Sequence, residues 1–538
     1  MPNTFKKVID RMMWVQTFPA PNASAAGTCM ASDLRSDVSR YPYVKNLIST
    51  TVLNRYNIIT KAWQLSANPG VAAVAAGSAM CFAPSFAAVG TIAAGATTSS
   101  VTLTTALPTA VGVNMLANRG GSGDYGFKLR IIDTVAGKTE ERFIVGNTAG
   151  TTPTINVDTV FSFTPSTGAR YELLSGRFIM LSSGVLAAAS WRSFEVATNT
   201  LANLTNTNLP ATVGTDSALL VMDEAYTPYN CRPGEGMIKG PTTNYNTDSI
   251  GVMKALDATA TGLSTITGHA TLGDAVVAAN EYRNFQIRIV QDLTTPASVG
   301  QRRIIASHTA GPSPVYTLGT AWTTQPSTSA KYVIEQPNQI VLRSSAATTT
   351  YVYNYTDATQ NNGTNSITAG AWSTTYFAAG PAANGAGNLW CPSFGIQPDP
   401  ARNARHSFNY FFRGGAVTLD VLDIAGGTTG AWTGAITYDG AQNAFGSGTS
   451  GCYSPFGQEG RFTYINVGVA SQANQIYRFD AKNRVFGPYV STDFLQTGTV
   501  VTASRMAAFA AVDGADLYDV VLLQGNAVAN CFELIPLV

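Results

Sequence analysis

A long internal repeat constrains this chain more than any other feature of its sequence. Residues 142–171 match residues 303–332 in a constant register, and residues 127–131 match residues 285–289 after a short difference in spacing. Agreement over this length indicates duplication of a structural module, because chance similarity does not hold one register for so long. The sequence therefore predicts two copies of one small domain.

The strands of such a domain are visible as alternation. Apolar and basic residues alternate in residues 127–131, which places them on opposite faces of a strand. Turn dipeptides such as Asp439-Gly440 recur along the chain and are typical of β-hairpins. Only residues 6–14 and 34–47 are candidates for helices. We therefore expect an all-β fold.

A second, shorter repeat lies outside the duplicated domain. Each unit has an apolar strand, a second strand with aromatic or charged residues, and a large apolar residue, as in residues 408–413, residues 419–423 and Trp432. This resembles the kelch class of β-propeller, which implies about six kelch-like blades. Residues 14–19 would complete the last blade, and closure by the N-terminal strand removes exposed sheet edges.

The two repeats together divide the chain into five segments. The predicted propeller comprises residues 1–84, 175–254 and 338–538, and the two homologous small β domains comprise residues 85–174 and 255–337. Each of these domains falls between the first and second strands of a blade, in two successive blades. Because such loops open on one face of a propeller, we expect both domains to project side by side from the same face.

The six cysteines lack the spacing of a metal or redox motif. Cys29, Cys81, Cys391 and Cys452 lie in stretches that resemble the first, innermost strand of a blade. Strands near a propeller axis are crowded and favour small or soft side chains. We therefore predict that the cysteines pack in the core, with no metal and no cofactor.

Signals for catalysis are weak. The chain has three histidines, which are His269, His308 and His406. His308 aligns with Asn147 in the other copy, so that copy works without an imidazole there. The GxGxxG string at residues 121–126 leads into a predicted strand. A dinucleotide-binding loop of this kind instead leads into a helix, whose N-terminus binds the pyrophosphate. Residues 223–226 are acidic and aromatic, and we interpret them as a solvated turn. The sequence predicts no enzyme.

Basic residues recur at several positions of the duplicated domain. Recurrence on a repeated frame has two interpretations: a surface that faces a partner or DNA phosphates, or ordinary solvent-facing strand positions. The nine positions are Arg119, Lys128, Arg130, Arg142, Arg170, Arg288, Arg302, Arg303 and Lys331.

Charge is scarce throughout. Only 12% of residues are charged and the net charge is +1, whereas average soluble domains have about 25% charged residues. Such a surface is typical of a subunit buried against partners, and it gives no global attraction to DNA or an anionic membrane. Residues 62–118 contain no charge, but prolines and glycines interrupt them, so we predict no membrane span. The N-terminal residues lack the apolar central segment that an export signal needs, so we predict no export signal there.

These properties together are similar to those of virion structural proteins of tailed bacteriophages, in particular the tail nozzle of short-tailed phages. The resemblance implies a non-enzymatic subunit, made in the host cytoplasm and located in the virion tail. It implies a homo-oligomeric ring, a hexamer, around the channel through which double-stranded DNA is ejected. Adaptor and fibre proteins would dock on this ring, and no residue is carried over as functional.

Two other classes of protein stay open. A receptor-binding, tail-fibre or capsid-decorating protein would recognise host surface glycan, with Tyr226, Tyr229 and Tyr245 as candidate contacts. A secreted glycan-active propeller enzyme would need converging carboxylates and a signal peptide, and the sequence does not show the signal peptide. A ring of about six copies favours the nozzle, a trimer favours a fibre and a monomer favours the enzyme.

Overall fold

The structure is a computed structural model of the 538-residue chain. It describes residues 12–536 apart from several gaps, of which the longest are 33–42, 66–74, 118–126, 225–255, 269–277, 393–406 and 492–504. The regular secondary structure of the described residues is almost entirely β-strand, with a short 3-10 helix at Pro296–Ser298. The prediction of an all-β fold is confirmed.

The first blade follows a single N-terminal strand. These strands are β1 (Met12–Gln16), β2 (Cys29–Ser32), β3 (Tyr43–Leu47), β4 (Leu53–Asn57) and β5 (Ala62–Leu65). Strands β2 to β5 form one antiparallel sheet in chain order. β1 and β3 occupy described parts of the two helix candidates, so the helical interpretation is wrong there. Pairing with neighbouring strands satisfies their backbone groups instead.

The second blade is interrupted in sequence by six strands that belong to a separate unit. The blade itself consists of β6 (Ala79–Ala83), β13 (Arg177–Leu181), β14 (Trp191–Glu195) and β15 (Thr200–Asn203). Between β6 and β13 come β7 (Ala88–Thr91), β8 (Ser100–Thr102), β9 (Lys128–Asp133), β10 (Lys138–Asn147), β11 (Thr154–Val157) and β12 (Arg170–Leu174). We call strands β7–β12 unit 1.

The third blade has the same plan. It consists of β16 (Ala218–Met222), β23 (Gln339–Arg343), β24 (Thr350–Asn354) and β27 (Trp372–Ser373), with a small hairpin of β25 (Gln360–Asn361) and β26 (Ser366–Ile367). Between β16 and β23 come β17 (Leu256–Gly262), β18 (Thr265–Gly268), β19 (Gln286–Gln291), β20 (Arg302–His308), β21 (Val315–Leu318) and β22 (Lys331–Glu335). We call strands β17–β22 unit 2.

The remaining strands complete the propeller. The fourth blade consists of β28 (Leu389–Pro392), β29 (Phe408–Phe412), β30 (Thr418–Asp423) and β31 (Ala431–Thr437). A following sheet contains β32 (Ser450–Tyr453), β33 (Phe462–Asn466), β34 (Gln475–Asp480), β35 (Val485–Phe486) and β36 (Val490–Ser491). The last blade consists of β37 (Arg505–Asp513), β38 (Asp516–Gln524), β39 (Cys531–Pro536) and β1.

The described residues form a β-propeller with five four-stranded blades, and this corrects the predicted number of about six. The sheet β32–β36 departs from the four-strand form because its outer edge is split. The two-residue strands β35 and β36 both pair with β34.

The first strands of the sheets lie beside one another around the propeller. β2 contacts β6, β6 contacts β16, β16 contacts β28, β28 contacts β32, β32 contacts β37, and β37 contacts β2. Cys29, Cys81, Cys391 and Cys452 lie on four of these strands, as predicted from their contexts. Burial raises the pKa of the Cys391 thiol to about 12, which suits a packing role.

The N-terminal strand closes the last blade. β1 pairs antiparallel with β39 over five residue pairs, from Met12 opposite Pro536 to Gln16 opposite Phe532. The predicted pairing of the two chain ends is confirmed. The last blade also contacts the first blade. Buried Glu533 of β39 accepts hydrogen bonds from Tyr56 (2.7 Å) and Lys61 (2.7 Å) of the first blade.

The two units form one continuous sheet. β9 pairs with β10 and β12 in unit 1, and β19 pairs with β20 and β22 in unit 2, so the equivalent strands have equivalent neighbours. The units meet where Lys138 of β10 pairs with Gln291 of β19. Buried apolar residues of unit 1 pack with the second blade, and those of unit 2 pack with the third blade.

Candidate functional site

Equivalent aspartates hold equivalent turns at the ends of β9 and β19. In unit 1, Asp133 accepts hydrogen bonds from the backbone N–H groups of Val135 (2.8 Å), Ala136 (2.9 Å) and Ser166 (2.6 Å). Burial opposes ionisation of Asp133, but these N–H groups more than offset it and lower its pKa. Asp292 has the same role in unit 2, and its pKa is lowered in the same way. Both turns are therefore fixed locally.

Arg142 is an anchor for a loop in unit 1. Its Nε donates to the carbonyl of Val160 (3.1 Å), and its Nη1 donates to the carbonyl of Glu141 (2.7 Å). The guanidinium lies 5.4 Å from the centre of the Phe161 ring. The side chain is buried, so its charge is used within the unit.

Arg303 repeats this arrangement in unit 2. Its Nε donates to the carbonyl of Ala321 (2.8 Å), its Nη1 donates to the carbonyl of Arg302 (2.8 Å), and it lies 5.5 Å from the centre of the Trp322 ring. Arginine recurs at this position because both copies need the same loop anchor. Recurrence here is explained by architecture and does not indicate a phosphate-binding surface.

His308 has the structural role that Asn147 has in unit 1. Asn147 Oδ1 accepts a hydrogen bond from the Leu116 N–H (2.9 Å), and His308 Nε2 accepts one from the Tyr282 N–H (2.8 Å). The ring proton is then on Nδ1, which donates to the carbonyl of Thr309 (2.9 Å). Burial lowers the pKa of His308, which favours this neutral form.

A cluster of buried charges joins unit 1, unit 2 and the propeller, and we call it the charged junction. Its centre is Arg130 of β9. Arg130 Nε donates to Glu141 (2.7 Å), and its Nη1 lies 2.6 Å from both Glu172 and Glu224. Glu141 and Glu172 belong to unit 1, whereas Glu224 follows the first strand of the third blade. One guanidinium thus binds two parts of the molecule.

Arg302 of β20 brings unit 2 into the charged junction. Its Nη1 and Nη2 each lie 2.9 Å from an oxygen of Glu172, and its Nε lies 3.6 Å from Glu224. Burial opposes ionisation of both carboxyls. Arg302 and Arg130 more than offset this opposition, so the pKa of Glu172 lies well below its ordinary value and that of Glu224 is about 2.

A second pair extends the charged junction within unit 2. Arg288 Nε and Nη2 lie 2.7 and 2.9 Å from the two oxygens of Glu335. Gln286 Nε2 bridges Glu335 (3.2 Å) and Glu224 (3.4 Å). Burial is the dominant influence on Glu335 and raises its pKa. The hydrogen bonds of these residues continue the junction across unit 2.

The two copies differ in charge at two aligned positions of the charged junction. Glu141 of unit 1 aligns with the oppositely charged Arg302 of unit 2, and Glu172 aligns with the neutral Val333. The contact is therefore complementary only between unlike copies. Charge reversal within an otherwise constant repeat was the sequence signal for this contact, and the sequence-based interpretation missed it.

An open cleft lies beside the charged junction. Its volume is about 380 Å³, and unit 1, unit 2 and residues 356–361 of the third blade form its walls. Arg170, Arg302 and Arg303 line it, so the structure brings together three of the nine basic positions. At the rim, Arg170 Nη2 lies 2.7 Å from Asp357, and both side chains are partly exposed, by 36% and 49%.

The nine basic positions do not form one basic surface. Arg130, Arg142 and Arg288 are buried against carboxylates, and this corrects their predicted solvent- or partner-facing placement. Lys128 lies over the Phe143 ring, at 5.2 Å from its centre. Lys331 is half-buried at the start of β22, and Arg119 lies outside the described residues.

The acidic segment at residues 223–226 also differs from its interpretation as a solvated turn. Asp223 and Glu224 are buried. Asp223 accepts hydrogen bonds from the Ser85 side chain (2.7 Å) and from the Tyr355 hydroxyl (2.6 Å). Both acids bind partners that are distant in the sequence, which no local pattern indicates. Other sequence candidates lie outside the described residues: His269, His406, Tyr226, Tyr229, Tyr245 and residues 121–126.

Within the described residues, no group of three or more histidine, cysteine or acidic residues is placed to hold a metal ion. No helix in the same part of the chain has the length and apolar character needed to cross a membrane.

No protein-family model matches the chain, and no curated protein matches it. Among solved structures it is similar to Sqt1 of Saccharomyces cerevisiae, with 8% identity over 96% of this chain and 97% of that one and a TM-score of 0.29. It is similar to an auxiliary nutrient binding protein of Bacteroides thetaiotaomicron, with 9% identity over 76% of this chain and 90% of that one and a TM-score of 0.23. It is also similar to NanB sialidase of Streptococcus pneumoniae, with 9% identity over 95% of this chain and 82% of that one and a TM-score of 0.22. At these TM-scores the likeness carries no argument, and the assignment as a β-propeller rests on the sheet topology.

Proposed function

We propose that this chain is a structural subunit of a bacteriophage tail, namely a nozzle subunit that forms a ring around the DNA-ejection channel. The observation that carries the proposal is the charged junction, in which Arg130 and Arg302 bind the two units to each other and to the propeller. Buried ion pairs between three parts of the chain resist their separation, which suits a load-bearing subunit. It is not an enzyme and has no cofactor.

The finer architecture belongs to the same proposal. The two units are duplicate domains, with bounds at residues 85–174 and 255–337, inserted in successive kelch-like blades. Their equivalent strand pairings support this.

The proposed mechanism is mechanical. A head-to-tail interface whose rotation closes produces a ring of identical subunits, and a hexamer is the expected form. DNA must pass through the lumen without being gripped, and a net charge of +1 supports this, because phosphate contacts would add affinity. Arginines that are buried in ion pairs within the units are not available for contacts with DNA phosphates. Adaptor and fibre proteins dock on the outer faces of the ring in the virion.

Mass photometry and negative-stain imaging of the purified full chain test this proposal. We expect a closed ring of about six copies with an open lumen. A trimer would favour a fibre, and a monomer with hydrolase activity would refute the proposal. A filter-binding assay with double-stranded DNA provides a second readout. Tight binding with a steep dependence on salt would contradict a lumen that lets DNA slide.

A further inference from the structure

The cleft between the two units has the size of a small-ligand site. Its volume is about 380 Å³, and ligand pockets range from about 300 to 1,000 Å³. Three parts of the molecule form it: unit 1, unit 2 and residues 356–361 of the third blade. We propose that this cleft binds a neutral polyhydroxylated ligand, such as a short uncharged oligosaccharide.

The cations in the walls are already occupied. Arg302 forms a two-pronged contact with Glu172, and Arg170 contacts Asp357. Arg303 donates to the carbonyls of Ala321 and Arg302. At Arg302, an anionic ligand would have to displace the buried carboxylate of Glu172, which is costly. The Arg302 wall of the cleft therefore selects against anions.

Hydroxyl groups are the polar groups that remain for a ligand. Thr134, Thr320 and Thr359 line the cleft from unit 1, unit 2 and the third blade, and all three are exposed. Their hydroxyls make no hydrogen bond with other described residues. A hydroxyl both donates and accepts, which matches the hydroxyls of a sugar. Three such groups on three walls can bind different hydroxyls of one ligand.

The walls are fixed before any ligand arrives. Gln301 Oε1 accepts from the backbone N–H of Thr323 (2.7 Å), and its Nε2 donates to the carbonyl of Thr324 (2.7 Å). Gln360 accepts from the Gln339 side chain (2.7 Å). Side chains that are already ordered lose little entropy on binding, so weak hydrogen bonds suffice for measurable affinity. The inference does not rest on the proposed tail function, because a ring subunit works with or without this affinity.

The duplicated frame supplies a matched control. Thr320 of unit 2 aligns with Thr159 of unit 1, which is also exposed but does not line the cleft. Thr320→Val and Thr359→Val remove a cleft hydroxyl from two separate walls, whereas Thr159→Val makes the same change elsewhere. All three are surface changes, and thermal melting confirms that each variant is folded.

The test is titration of the full chain by saturation-transfer difference NMR. The probes are lactose, maltose and cellobiose as neutral sugars, and 3′-sialyllactose and inorganic phosphate as anions. We expect at least one neutral sugar to bind, with affinity reduced about fivefold or more by Thr320→Val and by Thr359→Val and unchanged by Thr159→Val. The inference would be overturned if no neutral sugar bound, or if only the anions bound. It would also be overturned if the cleft variants and the control variant bound the sugar equally well.

Discussion

Replacement of Glu172 by Gln tests the charged junction directly. The change keeps the size of the side chain but removes the charge that faces two nitrogens of Arg302 at 2.9 Å and one of Arg130 at 2.6 Å. Breaking a buried ion pair costs about 3–5 kcal/mol. Arg130 keeps Glu141 and Glu224, so we expect the lower end, about 3 kcal/mol of unfolding free energy.

Denaturant unfolding followed by circular dichroism measures this cost. Asp357→Asn is the control, because it removes the charge facing Arg170 at the exposed rim of the cleft. Exposed ion pairs contribute about 0–1 kcal/mol, so this variant should be almost as stable as the wild type. A cost below about 1 kcal/mol for Glu172→Gln, or equal costs for the two variants, would refute the role of the junction.

The pH dependence gives an independent check. Burial raises the pKa of Glu172, but Arg302 and Arg130 lower it further, so the net pKa is well below 4.5. A depressed carboxyl pKa contributes stability that is present above the unfolded pKa and is lost as the pH falls through the folded pKa. The cost of Glu172→Gln should therefore be full at neutral pH and should shrink below about pH 4.5. A cost that stays constant down to acid pH would contradict the charge-based explanation.

Three further predictions concern other parts of the chain. His308→Asn should change the unfolding free energy by less than about 1 kcal/mol, because the asparagine at the aligned position of unit 1 accepts the equivalent backbone N–H. His308→Leu cannot accept the hydrogen bond from the Tyr282 N–H, so it should lower the unfolding free energy more in the same denaturant assay. Glu533→Gln should cost about 2 kcal/mol, because Tyr56 and Lys61 lose a charged acceptor, and an unchanged melting temperature would contradict this link between first and last blades. The Cys391 thiol, buried and with a pKa of about 12, should resist a thiol reagent such as DTNB until the protein unfolds, and rapid labelling of the folded protein at this site would show the packing to be wrong.

The all-β class and the propeller were predictable because both depend on periodicity or punctuation along the chain. The place of Cys81 on a first strand was predictable for the same reason, since its small neighbours mark a crowded position. The number of regular blades was not predictable, because the outer edge of one sheet is divided between β35 and β36, and local patterns do not reveal how an edge completes its pairing.

The site was predictable only in part. The sequence identified Arg130 and Arg288 as recurring, and alternation placed them on one face of a strand. Which face a neighbour covers depends on contacts between distant segments, such as Arg130 with Glu224. An arginine on an open strand face and one on a covered face have the same local pattern, so burial reversed their predicted placement.

The charged junction also has a consequence for the order of folding. Glu172 and Arg302 are 130 residues apart in the chain, so the seam between the units cannot form on a ribosome until most of unit 2 has been made. Until then, Glu172 has only the cations of unit 1, Arg130 and Arg170, as partners. Long-range contacts form late because loop closure must be completed first. A chain whose second copy is missing or misfolded therefore leaves Glu172 without the two-pronged contact of Arg302, at a surface that unit 2 should cover.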